Sequence, residues 1–526
     1  MKRVSFIFLL LIISTVLVFA SGTKASSVAV DPDKPYAGAK ITWLTAKNAN
    51  VSAVYDNLGD TPWAKYVMEQ TGIEIEFISY DISEMGDKIA QMKALGSLPD
   101  IIEYKWGDYA GGPTAAIRDK VIIDLTPYME ENAPNLIALM SENPDVDKVI
   151  RTNGGKYYCF PFLRGLTQPN ITQFSSCFVI RQDVLDELGL ERPETIDEWE
   201  TVLRAFKEYG FEEPFVTRGM WLIDVWSPAY DNWGDFYIDD GTVKNGLVED
   251  SRYQVISKLH QWYEEGLIES DWMNSEKKSN EADFTSEKAG AAYAPIGQGL
   301  GNYTTLMADK GITSDDIRAT VPVTSEKGRN ATFSKMNQIF DDSGYSAAIS
   351  TKCKNIEAAM WLLDWMYSEE GNLCCNYGIP GVSYVMKDGV PMYTETVTKN
   401  PDMTMATALA IYTRASTSGV CVQDEDYIRQ YYYEDNQKEA LELSLRTDMA
   451  SHFFPPATVS EENTKAFSEI MGNVSSYSEE MEEMFITGQA ELNETTWNNY
   501  IKNLRDMGIE EAIAMMQDAY DEYQTL

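Results

Sequence analysis

At 526 residues the chain exceeds what one hydrophobic core normally serves, so at least two lobes are expected. Its 82 acidic against 43 basic residues leave a net charge of −39, a surface that repels phosphate backbones and anionic lipid head groups and so excludes nucleic acid and membrane-surface partners. Uncharged ligands suit such a surface best.

The chain begins Met1-Lys2-Arg3, runs apolar from Val4 to Val18 and reaches Val18-Phe19-Ala20, the pattern of a secretory signal with its small-residue cleavage site. Residues 1–20 are therefore read as a signal peptide, since the run falls short of the ~20 apolar residues a spanning helix needs. No cysteine follows it to carry a lipid. The mature chain is expected to be periplasmic or extracellular, with no direct membrane insertion. Residues 21–38 read as a flexible leader.

Ile41–Thr45 reads as a first strand, Pro62–Gln70 as a helix, and Ile73-Glu-Ile-Glu-Phe-Ile78 alternates with period two as a second strand. Ile89, Met92 and Leu95 sit at helical spacing, and Gly96 can take the left-handed conformation just past a helix end. Leu98-Pro99-Asp100 then blocks helix and leads into the apolar strand Ile101-Ile102, whose far end is Glu103-Tyr-Lys-Trp106. Strand and helix alternating in this way imply parallel strands joined by right-handed crossovers. A second region opens with the strand Phe174–Ile180 and the helix closed by Gly189. Thr195-Ile-Asp-Glu198 is a capping box ahead of Trp199, Val202, Leu203 and Phe206, which share one face. Further helices are expected at Tyr253–Glu265, Ile356–Ser368 and Thr496–Met507, with Gly508 closing that helix and a last one running to Tyr523. There is no internal repeat or low-complexity linker, so lobe boundaries fall in ordered crossovers near Phe160-Pro-Phe162 and Phe340.

The chemistry is narrowed mostly by exclusion. The chain has two histidines, His260 and His452, with no ligand-like neighbours, and no phosphate-binding glycine loop or nucleophile elbow. Six cysteines (Cys159, Cys177, Cys353, Cys374, Cys375 and Cys421) show no C-x-x-C spacing and describe neither a disulfide framework nor a zinc site. Paired carboxylates for glycoside hydrolysis are too abundant to be informative. The positive signal is aromatic. Trp106, Trp221, Trp226, Trp233, Tyr293 and Tyr384 lie in stretches rich in Gly, Pro, Asp and Asn, which read as loops. A sugar ring needs flat aromatic surface plus polar groups aimed at its hydroxyls, and Trp226-Ser-Pro-Ala-Tyr-Asp-Asn-Trp233 offers both. Micromolar binding is about −8 kcal/mol, while one aromatic contact adds roughly 0.5–1.5 kcal/mol beyond its area. A ligand is therefore expected to be gripped from two sides.

Several motifs in order resemble the extracellular solute-binding proteins of family 1, the carbohydrate-binding components of bacterial ABC importers, in the branch with lipoprotein A-like and alginate-binding members. They are Gly96–Ile102, Gly155-Lys-Tyr-Tyr-Cys-Phe-Pro161, Ile180–Leu190 with Pro193–Trp199, Tyr263–Ile268, Ser368-Glu-Glu-Gly371 leading to Tyr377-Gly-Ile-Pro-Gly381, Phe485–Gly488 and the final Trp497–Tyr523 helices. The resemblance implies an α/β, two-lobed periplasmic binding protein fold (type II). Each hinged lobe then has a central mixed β-sheet flanked by helices, with an N-lobe of 39–165 plus 335–390 and a C-lobe of 166–334 plus 391–526. It also implies an oligosaccharide in the inter-lobe cleft, closure around it, and delivery to the transmembrane subunits of an ABC permease by a non-catalytic monomer. A peptide ligand on the same scaffold and an exported glycoside hydrolase are the alternatives. Tyr104, Trp106, Arg164, Trp226, Asp231, Trp233, Tyr293, Gln298 and Tyr384 are the candidate ligand contacts, chosen by loop position and residue type. No cofactor, metal or catalytic residue is expected. Two departures matter: the chain passes from Gly210 directly to Phe211-Glu-Glu-Pro214 where relatives carry a calcium-loop-like segment, and Pro380 stands where relatives often have Glu.

Overall fold

The computed structural model describes residues 31–340, 345–416 and 419–526, so the signal-peptide reading and the leader up to residue 30 lie outside the described residues. The rest of the leader is not loose. Lys34 Nζ donates to Glu69 O at 2.7 Å, Gly38 N donates to Gly72 O at 2.8 Å, and Tyr36 packs against Trp361 with ring centroids 6.2 Å apart.

The first sheet has the strand order Ser346–Ile349, Ile101–Tyr104, Lys40–Ala46, Glu74–Tyr80. Its three N-terminal strands are parallel, as the alternation of strands and helices requires, and Ser346–Ile349 returns antiparallel at the edge. The helices between them end where the glycines stand: Gly72 and Gly96 both take φ near 70° after Pro62–Thr71 and Met85–Leu95. Trp43, Ile101 and Phe160 share this lobe's core with Ala347 and Leu363.

The second sheet runs Ile317–Thr320, Ser176–Arg181, Ala291–Pro295, Phe215–Val216, and is mixed. Every residue of Ser176–Arg181 is buried because both faces are covered. Phe178 and Ile180 point into one core with Trp199, Trp226 and Trp262, while Cys177 and Val179 point into another with Tyr303, Leu409 and Leu441. The capping box forms as expected: Glu198 N donates to Thr195 Oγ1, and Glu198 Oε2 accepts from Thr195 N, both at 3.2 Å, at the head of Ile196–Tyr209.

The lobes are joined where Phe162–Leu163 pairs in parallel with Cys421–Val422 and Leu163 bridges Phe340. Arg164 N donates to Ile339 O at 2.8 Å and Gln423 N to Leu163 O at 2.7 Å, so three passes of the chain form one short ribbon. Two stretches pack across the expected boundaries. Tyr377, and Tyr384 at the start of the hairpin Tyr384–Lys387/Val390–Tyr393, bury with the second lobe, whereas Ala410, Ala415, Val420 and Cys421 contribute to the first core.

Candidate functional site

The parallel strands of the first sheet end at Ala46, Tyr80 and Tyr104, and ligands of open α/β sheets bind beyond such ends. Beneath them Glu103, fully buried, forms an ion pair with Arg414 and accepts a 2.5 Å hydrogen bond from Thr45, which fixes the ends of two neighbouring strands. Tyr104 is half-buried and meets Trp106 edge-on at 5.6 Å. Burial raises its phenol above the ordinary value, and the negative charges of Asp108 and Asp87 raise it further. The stretch that follows, from Gly107 into the helix Gly112–Arg118, faces Ala457 to Ser468 of the second lobe across an opening of about 660 Å³.

The second wall is built after the strand Phe215–Val216. Trp221 begins the helix Trp221–Trp226, whose Leu222, Ile223, Val225 and Trp226 are buried, so the helix is anchored while Trp221 itself stays half-exposed. The Arg218 guanidinium lies 3.8 Å from the Trp221 ring centroid and the Lys335 ammonium 4.6 Å from it. Tyr293 meets the same ring edge-on at 5.9 Å, and a narrow cavity lined by Tyr293, Ser334 and Lys335 opens beside it. Lys335 pairs with Asp224 at 2.8 Å. Farther along, Trp233 stacks on Phe333 at 6.2 Å and Asp231 accepts from Thr332 at 2.6 Å while pairing with Arg329. Lys335 precedes the hinge ribbon and Tyr345 follows it, so one crossing links this wall to the Tyr104 end of the first sheet.

Several sequence expectations are corrected by this geometry. Trp106 is 1% exposed and spends its only N–H on Ser346 O at 3.0 Å, so it anchors the sheet edge. Trp226, also 1% exposed, is wedged among Phe178, Phe215 and Trp262; the stretch read as a loop is helical there because Trp226 closes a buried helical face. Tyr293 sits on a strand with its ring against Phe178 and is 7% exposed, reaching the wall only at its edge. Tyr384 packs on Tyr377 in the hairpin region, where the surrounding hollow is lined by Asp31, Tyr66 and Pro380, away from both walls. Gln298 is exposed and hydrogen-bonded to Lys277, and Arg164 lies over Phe162 at the hinge. Tyr104 lies half-buried at the end of the first sheet, and in the second lobe Asp231 is exposed beside Arg329 and Trp233 half-buried on Phe333. Sequence reasoning left Arg218 and Lys335 unnamed because nothing local distinguishes them; Trp221 carried the aromatic signal alone.

Both histidines serve packing, with Nδ1 of His260 3.1 Å from Ile486 O and Nδ1 of His452 2.9 Å from Ile238 O. All six cysteines are buried free thiols. After Gly210 the chain brings Glu213 together with Glu269 and Asp283, their oxygens within 4.8 Å of one another. The Lys288 ammonium stands 2.8 Å from Glu213 and 3.6 Å from Asp283, so a side-chain cation balances that cluster.

A family model described as bacterial extracellular solute-binding protein matches residues 55–373. Lipoprotein LipO of Bacillus subtilis (strain 168) is 25% identical over 354 residues, 63% of this chain and 65% of LipO, so the match spans just under two thirds of that relative. The fructooligosaccharide ABC transporter substrate-binding protein FusA of Streptococcus pneumoniae serotype 4 (strain ATCC BAA-334 / TIGR4) is 22% identical over 483 residues, 87% of this chain and 86% of FusA. Among solved structures, FusA in complex with kestose superposes with a TM-score of 0.73 at 19% identity, covering 92% of this chain and 99% of that one. The alginate-binding protein AlgQ2 without calcium ion gives 0.72 at 23% identity, covering 92% and 98%. At these identities the structural likeness establishes a shared fold.

Proposed function

We propose, since this chain belongs to the family of bacterial extracellular solute-binding proteins and has the two-lobed, type II fold of periplasmic binding proteins, that it is the substrate-binding component of an ABC importer. It holds an oligosaccharide between its lobes and hands it to a membrane permease. The carrying observation is the pair of walls either side of one hinge, with Tyr104 on the first and Trp221, Trp233 and Asp231 on the second. Flat rings interleaved with hydroxyl-seeking carboxylates are the surface a sugar requires. FusA and AlgQ2, by their names a fructooligosaccharide and an alginate binder, support that ligand class.

Among the described residues no helix is long and apolar enough to cross a membrane, which with the family's extracellular role supports an exported protein acting outside the bilayer. The apolar run Val4 to Val18 supports export through a cleaved signal. Hinge closure follows ligand only if the closed form binds it better than the open one. The test is calorimetry against a panel of oligosaccharides and peptides, with chromatography of the recovered ligand. One saccharide class is expected to bind with micromolar affinity and to be recovered intact. Heat from peptides alone would replace the ligand class, and shortened saccharide products would make the protein a hydrolase.

A further inference from the structure

In a chain of net charge −39, arginines without an acidic partner are conspicuous. Twelve other arginines each pair with a carboxylate among the described residues. Arg218 makes no ion pair among the described residues, and its buried Nε has no hydrogen-bond partner. Burial lowers its affinity for the proton, and no carboxylate is close enough to offset this. A half-buried guanidinium over a tryptophan, 3.8 Å from the ring centroid, is kept in place by the ring while its N–H groups stay available. Lys335 brings a second cation to the same ring, and Asp224 balances only one of the two.

We propose that Arg218, on its Trp221 platform, receives a carboxylate carried by a sugar residue of the ligand, a uronic or sialic acid, so that the transported oligosaccharide is acidic. This rests on the oligosaccharide reading and narrows it. The planar fork of an arginine matches a carboxylate with two parallel hydrogen bonds, and a partly desolvated cation without a partner gains most from one. The overall negative charge does not oppose such a ligand at the site, because charges beyond a Debye length of about 8 Å are screened at physiological salt while the guanidinium acts at contact. The same surface charge slows the approach of an anion, so the arginine acts on the lifetime of the complex more than on its rate of formation.

The test is calorimetry with matched pairs, trigalacturonate and sialyllactose each against its methyl ester, on the wild-type protein and on Arg218→Met and Arg218→Lys. At least one acid is expected to bind about tenfold or more tighter than its ester, a difference of about 1.4 kcal/mol. Arg218→Met should erase that preference without lowering the melting temperature, and Arg218→Lys should keep part of it. Added salt should weaken the acid and leave the ester unchanged. Equal affinity for acid and ester, or an acid preference that survives Arg218→Met, would overturn the carboxylate subsite while leaving saccharide transport standing. Failure of every saccharide, acidic or neutral, would instead remove the functional reading beneath it.

Discussion

Trp221 and Trp226 open and close the same helix and have opposite fates. Trp226 contacts Phe178, Phe215 and Trp262 inside a core, whereas Trp221 keeps a face at the wall under Arg218 and Lys335. Their replacement should separate folding from binding. Trp226→Ala is expected to cost about 3–5 kcal/mol of stability, with affinity per folded molecule unchanged. Trp221→Ala should leave the melting temperature nearly unchanged and weaken saccharide binding about five- to tenfold, the worth of one aromatic contact. Thermal melts and calorimetry on the two variants read both. The aromatic signal in the sequence could not tell buried rings from exposed ones. Gly, Pro, Asp and Asn nearby mark turns, but which ring a turn delivers to solvent depends on what packs behind it. Tyr104 shows the other outcome: a strand end named from local pattern alone, and found half-buried where the first sheet stops.

Elements whose signals are local were legible. The helix ends at Gly96 and Gly189, the Thr195 capping box and the buried stripe Trp199, Val202, Leu203 and Phe206 all stand where periodicity and cap chemistry put them. The long helix Thr464–Ile486 was not read, because its mixture of Met, Ser and Glu shows no sharp apolar stripe. Its place is decided at distance. Glu482, 1% exposed, takes two hydrogen bonds from Arg252 on Asp250–Glu264, at 2.7 and 2.6 Å, and a third from Tyr500 at 3.1 Å. Arg252 is itself buried and also reaches Ser227 and Asn232. Removing one partner strands the other charge, so Glu482→Ala should destabilise by about 3–5 kcal/mol. The double replacement Arg252→Met with Glu482→Leu should recover most of that. Denaturant titration of the three proteins distinguishes a specific charge pair from general packing, which the double variant would not restore.

At the scale of the molecule, the proposed function requires two bodies that move about a narrow joint. The ribbon of Phe162–Leu163, Cys421–Val422 and Phe340 is short, and each lobe has its own core, so rotation there costs little internal packing. Saturating ligand is expected to lower the radius of gyration in small-angle scattering and, at one hundred times Kd, to stabilise the fold by about 2.7 kcal/mol. Unchanged scattering with a clear thermal shift would mean binding without closure. Length and the order of local motifs were enough to determine two α/β lobes and the parallel N-terminal strands of the first sheet, because periodicity, caps and turn chemistry act between near neighbours in the chain. Only the tertiary structure decided that Trp106 and Trp226 are core and that Arg218, Trp221 and Lys335 share a wall. Burial and charge pairing are set by groups distant in sequence, and no local pattern records which side chain is left without a partner.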